Sequence, residues 1–206
     1  MSLTDYGIAL FVEGHGAVKE NAGNSGTMQS GLLFDAVYEG SALAYLGLSS
    51  AVYYQHYLNG DGSGVGASLT LTPADAGLRI NATPGGRENK AVTSYFTTSL
   101  MLDAIHVTSP GNTGFAAGED FAWGIFNFGY LYADDRLGTH GARFKVGSQF
   151  AADLVSGRDA ILLSASAGLY LDATQTTALD LGWQKGTDYK TMEKVDSVTL
   201  GLTLKF

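Results

Sequence analysis

The chain has 206 residues, 45% of them hydrophobic and only 16% charged, with 28 glycines, no cysteine and a net charge of −8. The missing cysteine excludes disulfides, thiolate metal sites and a cysteine nucleophile, the acidic balance disfavours non-specific nucleic-acid binding, and low charge with many aromatics argues against disorder. No apolar run approaches the roughly 18 residues of a membrane helix, and no linker or composition shift divides the chain, so one domain over 1–206 is expected.

Met1, Ser2, Leu3, Thr4 and Asp5 form neither a basic nor an apolar leader region, which fits a mature form or a cytoplasmic chain. From there period-two alternation dominates. In 5–19, Tyr6, Ile8, Leu10 and Val12 alternate with Gly7, Ala9, Phe11, Glu13 and His15, as in a strand with one apolar face. Turn residues at 21–26 lead to a strand over 28–39, and a tight turn at 40–41 leads to one over 42–58. After the turn at 59–64, segment 65–83 admits two readings, a hairpin turn at Pro73, Ala74, Asp75 and Ala76 or one kinked strand. Its apolar phase passes from Val65, Leu69 and Leu71 to Leu78 and Ile80 around Pro73, as at a bulge. Turn 84–89 precedes a strand over 90–107, and the long loop 109–120 precedes an aromatic strand over 120–133. Turn 134–141 is followed by 143–155, where Phe144, Val146, Phe150 and Leu154 share a face. Turn 156–159 is followed by 160–173, where Ile161, Leu163, Ala165, Ala167, Leu169 and Leu171 do so. Turn 173–175 leads to a strand over 176–185, loop 186–194 follows, and 195–206 alternates most cleanly of all, with Val198, Leu200, Leu202, Leu204 and Phe206 against Ser197, Thr199, Gly201, Thr203 and Lys205.

Alternation alone does not say which face is wet. The polar phase here is mostly Gly, Ala, Ser and Thr, whereas a soluble surface carries about 25–35% charged residues. Such small residues suit a crowded barrel interior. The segments of 10–15 residues also exceed the usual 5–6 of soluble strands and meet the 9–11 needed to cross a bilayer at a tilt. Aromatics near strand ends (Tyr6, Tyr38, Tyr57, Tyr132, Trp183, Phe206) suit interfacial girdles.

The last strand, with its alternating Val198, Leu200, Leu202 and Leu204 and its terminal Phe206, resembles the C-terminal signature of bacterial outer-membrane β-barrel proteins. The resemblance covers about a dozen residues directly and names a class, not one family within it. It implies an all-β, closed, antiparallel transmembrane barrel in a bacterial outer membrane, with lipid as its surroundings. Both termini then lie on one side, so the strand number is even. Treating 65–83 as one strand gives ten, and twelve is the alternative. The turns at 40–41 and 173–175 then fall on the periplasmic side, and the loops at 109–120 and 186–194 fall outside.

Lumen parity collects seven acidic residues, Glu13, Asp35, Glu39, Asp103, Asp153, Asp172 and Asp180. It also collects five basic ones, Lys19, Arg79, Arg143, Lys145 and Lys205. The expected function is passive diffusion of small hydrophilic solutes through a narrow, mildly acidic and slightly cation-preferring lumen. Glu13, Asp35, Arg79, Asp103 and Asp180 are the expected pore-lining residues, and the loops 109–120 and 186–194 are the expected gates. Lumen-phase Phe11, Tyr45, Tyr53, Tyr57 and Tyr95 either pack the interior or line a path for ring-bearing solutes. Equally, ten strands make a tube narrow enough for side chains to fill.

Three alternatives stay open. The first is a plugged structural or adhesive barrel that binds partners through its loops. The second is an outer-membrane enzyme using Asp134, Asp135 and His140, although turn residues at a strand end explain these three more simply. The third is a soluble barrel that holds an apolar ligand. The histidines show no metal-ligand spacing, the 59–64 run lacks the further carboxylates of a calcium loop, and no nucleophile elbow or phosphate loop occurs. No cofactor or metal is expected. The expected state is a monomer or a small homo-oligomer.

Overall fold

The computed structural model describes residues 1–19, 23–40, 44–58, 62–81, 92–111 and 115–204. Strands β1 (Ser2–Lys19), β2 (Gly23–Glu39), β3 (Tyr45–Tyr57), β4 (Gly62–Ala74) and β5 (Val92–Ser109) form the first half of the chain. Strands β6 (Asp120–Asp134), β7 (Ala142–Asp153), β8 (Asp159–Tyr170), β9 (Thr177–Thr187) and β10 (Lys194–Leu204) form the second. The ten strands make one antiparallel sheet in the order of the chain, each paired with its neighbours in sequence, and the described residues contain no helix. No β1–β10 pairing is present among the described residues. The sheet nevertheless curls strongly. The loop between β9 and β10 reaches back to β5 and to β2, where Lys190 Nζ donates to Gln29 Oε1 at 3.3 Å.

Curling a period-two sheet gives it an inside and an outside. The apolar phase lies outside. Ile8, Leu10 and Val12 on β1 are 74–85% exposed, and Val198 and Leu200 on β10 are 70% and 72% exposed. Leu100 and Leu102 on β5, Phe126 and Phe128 on β6, and Phe144, Val146 and Phe150 on β7 are exposed as well. Strand β6, aromatic in both phases, resolves by parity. Phe121 and Trp123 are buried inside, whereas Phe126 and Phe128 stand outside, stacked at 6.4 Å between ring centroids.

The inner face carries glycines where one side chain must cross a neighbouring strand. Tyr53 on β3 pairs with Gly66 on β4, and its ring lies over that glycine; a Cβ there would sit 2.5 Å from Tyr53 Cζ. Gly168 on β8 lies between Arg143 on β7 and Asp180 on β9, its register partners on either side. A Cβ at Gly168 would sit 2.4 Å from Asp180 Oδ1 and 2.8 Å from Arg143 Nε.

One sequence expectation is corrected. Of the two readings of segment 65–83, the single kinked strand is overturned and a turn is found, at 76–79 and not at 73–76. Strand β4 begins at Gly62 and continues through Pro73 against Leu46 of β3, but its ladder with β5 stops at Leu71, opposite Leu100. The chain then folds back through residues 76–79, so that Asp75 and Ile80 bridge each other and Ile80 bridges Phe96. Proline has no N–H to offer β5, and the side chain of Asn81 fills the resulting gap. Its Nδ2 donates to Pro73 O and to Thr98 O, both at 2.6 Å, while its Oδ1 accepts from Thr98 N at 3.1 Å. Among the described residues the folded-back segment adds no further strand, and the strands number ten.

Replacing Asn81 by glycine removes these bonds while suiting the positive φ of 47° at this position. Unpaired buried polar groups cost about 1–3 kcal/mol each. Asn81→Gly is therefore expected to lower the unfolding free energy of the protein by about 2–4 kcal/mol, read from urea titrations. An unchanged midpoint would show that the amide bridge contributes nothing.

Candidate functional site

The concave interior has two unlike halves. Near the β3–β4, β5–β6 and β9–β10 loops it is packed with rings. Tyr57, Phe115, Phe121, Trp123 and Tyr189 are all buried there. Phe115 contacts Phe121 at 4.5 Å and Tyr57 at 6.2 Å, and Tyr189 meets Trp123 edge-on at 5.7 Å between centroids. Phe115 comes from the β5–β6 loop and Tyr189 from the β9–β10 loop, the two loops expected to act as gates. Each loop thus sends one described ring, Phe115 or Tyr189, into the interior.

A polar knot fastens the second of them. Asp103 on β5 is 1% exposed. Its Oδ1 accepts from the Tyr53 hydroxyl, and its Oδ2 accepts from the Tyr189 hydroxyl at 3.1 Å. Burial, with the nearby Asp103 charge, pushes the Tyr189 pKa well up, so its phenol stays protonated and can donate at neutral pH. Beside the knot, Gln29 Nε2 donates to Gln55 Oε1 at 2.7 Å, and Lys190 joins the pair at Gln29. Glu13 borders the same region: with Phe11, Gln29, Tyr53, Asp103 and Lys190 it lines a cavity of about 310 Å³.

Toward the end that carries the β6–β7 and β8–β9 turns, the interior is polar and open. Arg143 Nη2 holds Asp180 through both carboxylate oxygens at 2.8 and 2.9 Å, an ion pair that passes from β7 to β9 over Gly168. Arg143 also lies 5.6 Å from the centre of the Tyr170 ring. A cavity of about 510 Å³ adjoins this pair, and one of about 400 Å³ lies beside it, lined by Thr72, Thr97, Ser99, Asn127, Gln149 and Gln184 among others.

The five expected pore residues therefore separate. Asp103 and Asp180 both face the interior, but the first is sealed in the aromatic plug and the second is neutralised by Arg143. Glu13 is an exposed residue at the rim of the plug, and Asp35 is exposed on β2 opposite Gly7 and Ser49. Arg79 is not in a strand: it sits in the 76–79 turn with φ 54°, its Nη1 donating to Ser94 Oγ at 3.4 Å. Of two other lumen assignments, Asp153 stays in its strand, buried beside a turn, and Asp172 moves to a turn. Asp153 ends β7 and accepts from the backbone N–H groups of Val155 and Ser156. Asp172 lies between β8 and β9, where the Thr174 hydroxyl, assisted by the Thr177 and Thr176 N–H groups, holds its carboxyl well below the usual carboxylate range. Of the lumen-phase aromatics, Tyr53 and Tyr57 are buried in the plug and Phe11 packs against it, whereas Tyr45 is exposed and Tyr95 half-buried. The expected role of the terminal aromatic Phe206, and of Lys205, lies outside the described residues.

The carboxylates of the alternative enzymatic reading are engaged in the β6–β7 turn. Asp134 accepts from Arg136 at 2.9 Å and from the Tyr132 hydroxyl at 3.1 Å, while Asp135 accepts from Gln175 Nε2 at 2.9 Å. Among the described residues no three His, Asp or Glu side chains gather at metal-binding distance. Sequence reasoning missed Tyr189, Gln55 and Asn81. Tyr189 and Asn81 lie in irregular segments without periodicity, and Gln55 is polar in a phase where polarity was already expected. Comparison of the chain with protein-family models, with curated proteins and with solved structures found no match.

Proposed function

We propose that the chain is a bacterial outer-membrane β-barrel, closed by pairing of β1 with β10, and that it forms a narrow passage for small hydrophilic solutes. The observation that carries this reading is the outward apolar face. From β1 to β10 the exposed side of the sheet is aliphatic and aromatic, while its concave side is ring-packed at the loop end and hydroxyl, amide and glycine in the other half. A soluble β-protein buries its apolar face against a second layer, and no second layer covers this one among the described residues. Strands of 11–18 residues are long enough to cross a hydrocarbon core at a tilt. Leu69, Leu100, Leu102, Phe126, Phe150 and Ile161 also border an apolar furrow over Gly124 on the outer side, where acyl chains would lie.

In the conformation described, the ring cluster at the loop end stands across the passage. The β9–β10 loop then acts as the gate, and the polar half of the interior as a chamber open at the opposite end. The same ring cluster favours a second reading, a permanently plugged barrel that serves through its loops.

Single-channel recording of detergent-folded protein in a planar bilayer separates the two. The passage predicts discrete current steps of low conductance with long closed intervals. Stable insertion without current would establish the plugged barrel. A chain that stays monodisperse without detergent would remove both readings in favour of a soluble protein.

A further inference from the structure

The polar chamber has a charge pattern that the overall count conceals. Its two cavities, about 400 and 510 Å³, share one lining residue that bears charge, Lys145 on β7. The larger cavity also contains Arg143 and Asp180, but these neutralise each other through the two-oxygen contact over Gly168. The smaller contains no carboxylate. Its inward groups are hydroxyls and amides, from Thr72, Thr97, Ser99, Asn127, Gln149 and Gln184. Of these, Gln149 Nε2 donates to Asn127 Oδ1 at 3.0 Å, and Asn127 Nδ2 donates to Ser99 Oγ at 3.1 Å. Lys145 itself is exposed and has no ion-pair partner among the described residues. The acidic Asp35 and Glu39 belong to β2 and line neither cavity.

We infer that this chamber binds small hydroxylated anions, of which a sugar acid is the simplest example, with the Lys145 ammonium holding the carboxylate and the surrounding hydroxyls and amides holding the ligand's hydroxyl groups. The volumes fit: small-molecule sites occupy about 300–1,000 Å³. The chemistry fits too. An ammonium with no carboxylate of its own leaves its donors for an anion, and a dense set of neutral donors and acceptors matches a polyol better than an apolar solute. The inference deepens the proposed passage and rests on that reading for its physiological sense. It replaces the cation preference expected from the residue count, because the acids of the polar half are either paired or placed elsewhere.

The experiment is calorimetric titration of the detergent-folded full chain with gluconate, with glucose as the uncharged control. Gluconate is expected to bind at least about tenfold more tightly than glucose, the scale of one charge-assisted hydrogen bond. Lys145→Met is expected to abolish that difference, and Lys145→Arg to retain most of it. Lys145 is exposed, so both variants should fold, and their heat-modifiable mobility on gels checks that they do. Equal binding of gluconate and glucose to the wild type, or gluconate binding that survives Lys145→Met, would overturn the inference. The test needs no current. Lys145-dependent binding in a barrel that never conducts would retain the anion site and discard the passage; a conducting barrel without it would discard the site alone.

Discussion

Replacing Asp103 by alanine is expected to unfasten the loop-end plug and raise both the frequency and the duration of open events in a planar bilayer. Asp103 is buried and accepts the hydroxyls of Tyr53 and Tyr189 on its two oxygens. Alanine removes two charge-assisted bonds, each worth about 1.5–3 kcal/mol, and strands two phenols inside the cluster. Tyr53 is anchored by its own strand and keeps its place over Gly66. Tyr189 belongs to a loop that is also held by the edge-on packing with Trp123, by Met192 against the ring cluster and by the Lys190–Gln29 bond, so losing the Asp103 contact loosens one of several fastenings of that loop. Urea unfolding in detergent should show a loss of about 3 kcal/mol or more. Tyr189→Phe should lose only about 1–2 kcal/mol, because the ring contact with Trp123 survives. If Asp103→Ala lowers stability while conductance stays at the wild-type level, the β9–β10 loop is not the gate and the plug is purely structural.

The second large effect concerns a glycine under a side chain. Gly66→Ala should destabilise the fold by about 1–3 kcal/mol, the usual cost of overpacking, and should also open the proposed passage as Asp103→Ala does. A methyl at residue 66 meets two ring carbons and the hydroxyl oxygen of Tyr53 within 2.5–2.7 Å. The ring must lift, and lifting it withdraws its hydroxyl from Asp103. The cause is separable by a double-mutant cycle. In a Tyr53→Leu background the clash is gone, so the added cost of Gly66→Ala should shrink to a few tenths of a kcal/mol. Strict additivity of the two substitutions would mean that the glycine serves the backbone and not the ring. Gly186 supplies the contrast. Its φ of 144° and the Ile161 carbonyl oxygen 2.0 Å from any added Cβ involve backbone alone, so no side-chain deletion at Tyr53 should rescue Gly186→Ala.

Much of the architecture was readable because a strand announces itself by period two. The alternation of Tyr6, Ile8, Leu10 and Val12, and again of Val198, Leu200 and Leu202, gave strands whose apolar sides the folded chain leaves exposed. The kinked-strand reading of 65–83 failed for a local reason. Pro73 ends one ladder and not the other, and the return of Asn81 into the gap depends on where Thr98 lies, which no window around residue 81 contains. Arg79 was misplaced by the same error. Parity assigned Asp103 and Asp180 to the interior, yet it could not weigh them. One is fastened by a tyrosine 86 residues further along the chain, and the other is cancelled by an arginine 37 residues before it.

By itself, then, the sequence determined an all-β chain of long alternating strands with small and polar residues in one phase. Local sterics and hydrophobic periodicity act over a few residues and need no partner. The tertiary structure decided everything that depends on which strands are neighbours. It set the order of the ten-stranded sheet, the side chains that cross over Gly66 and Gly168, the loop residues that pack among the rings, and the place of Lys145 in the polar chamber with no ion-pair partner among the described residues. Charges act through space, so their balance emerges only when strands far apart in the chain are set side by side.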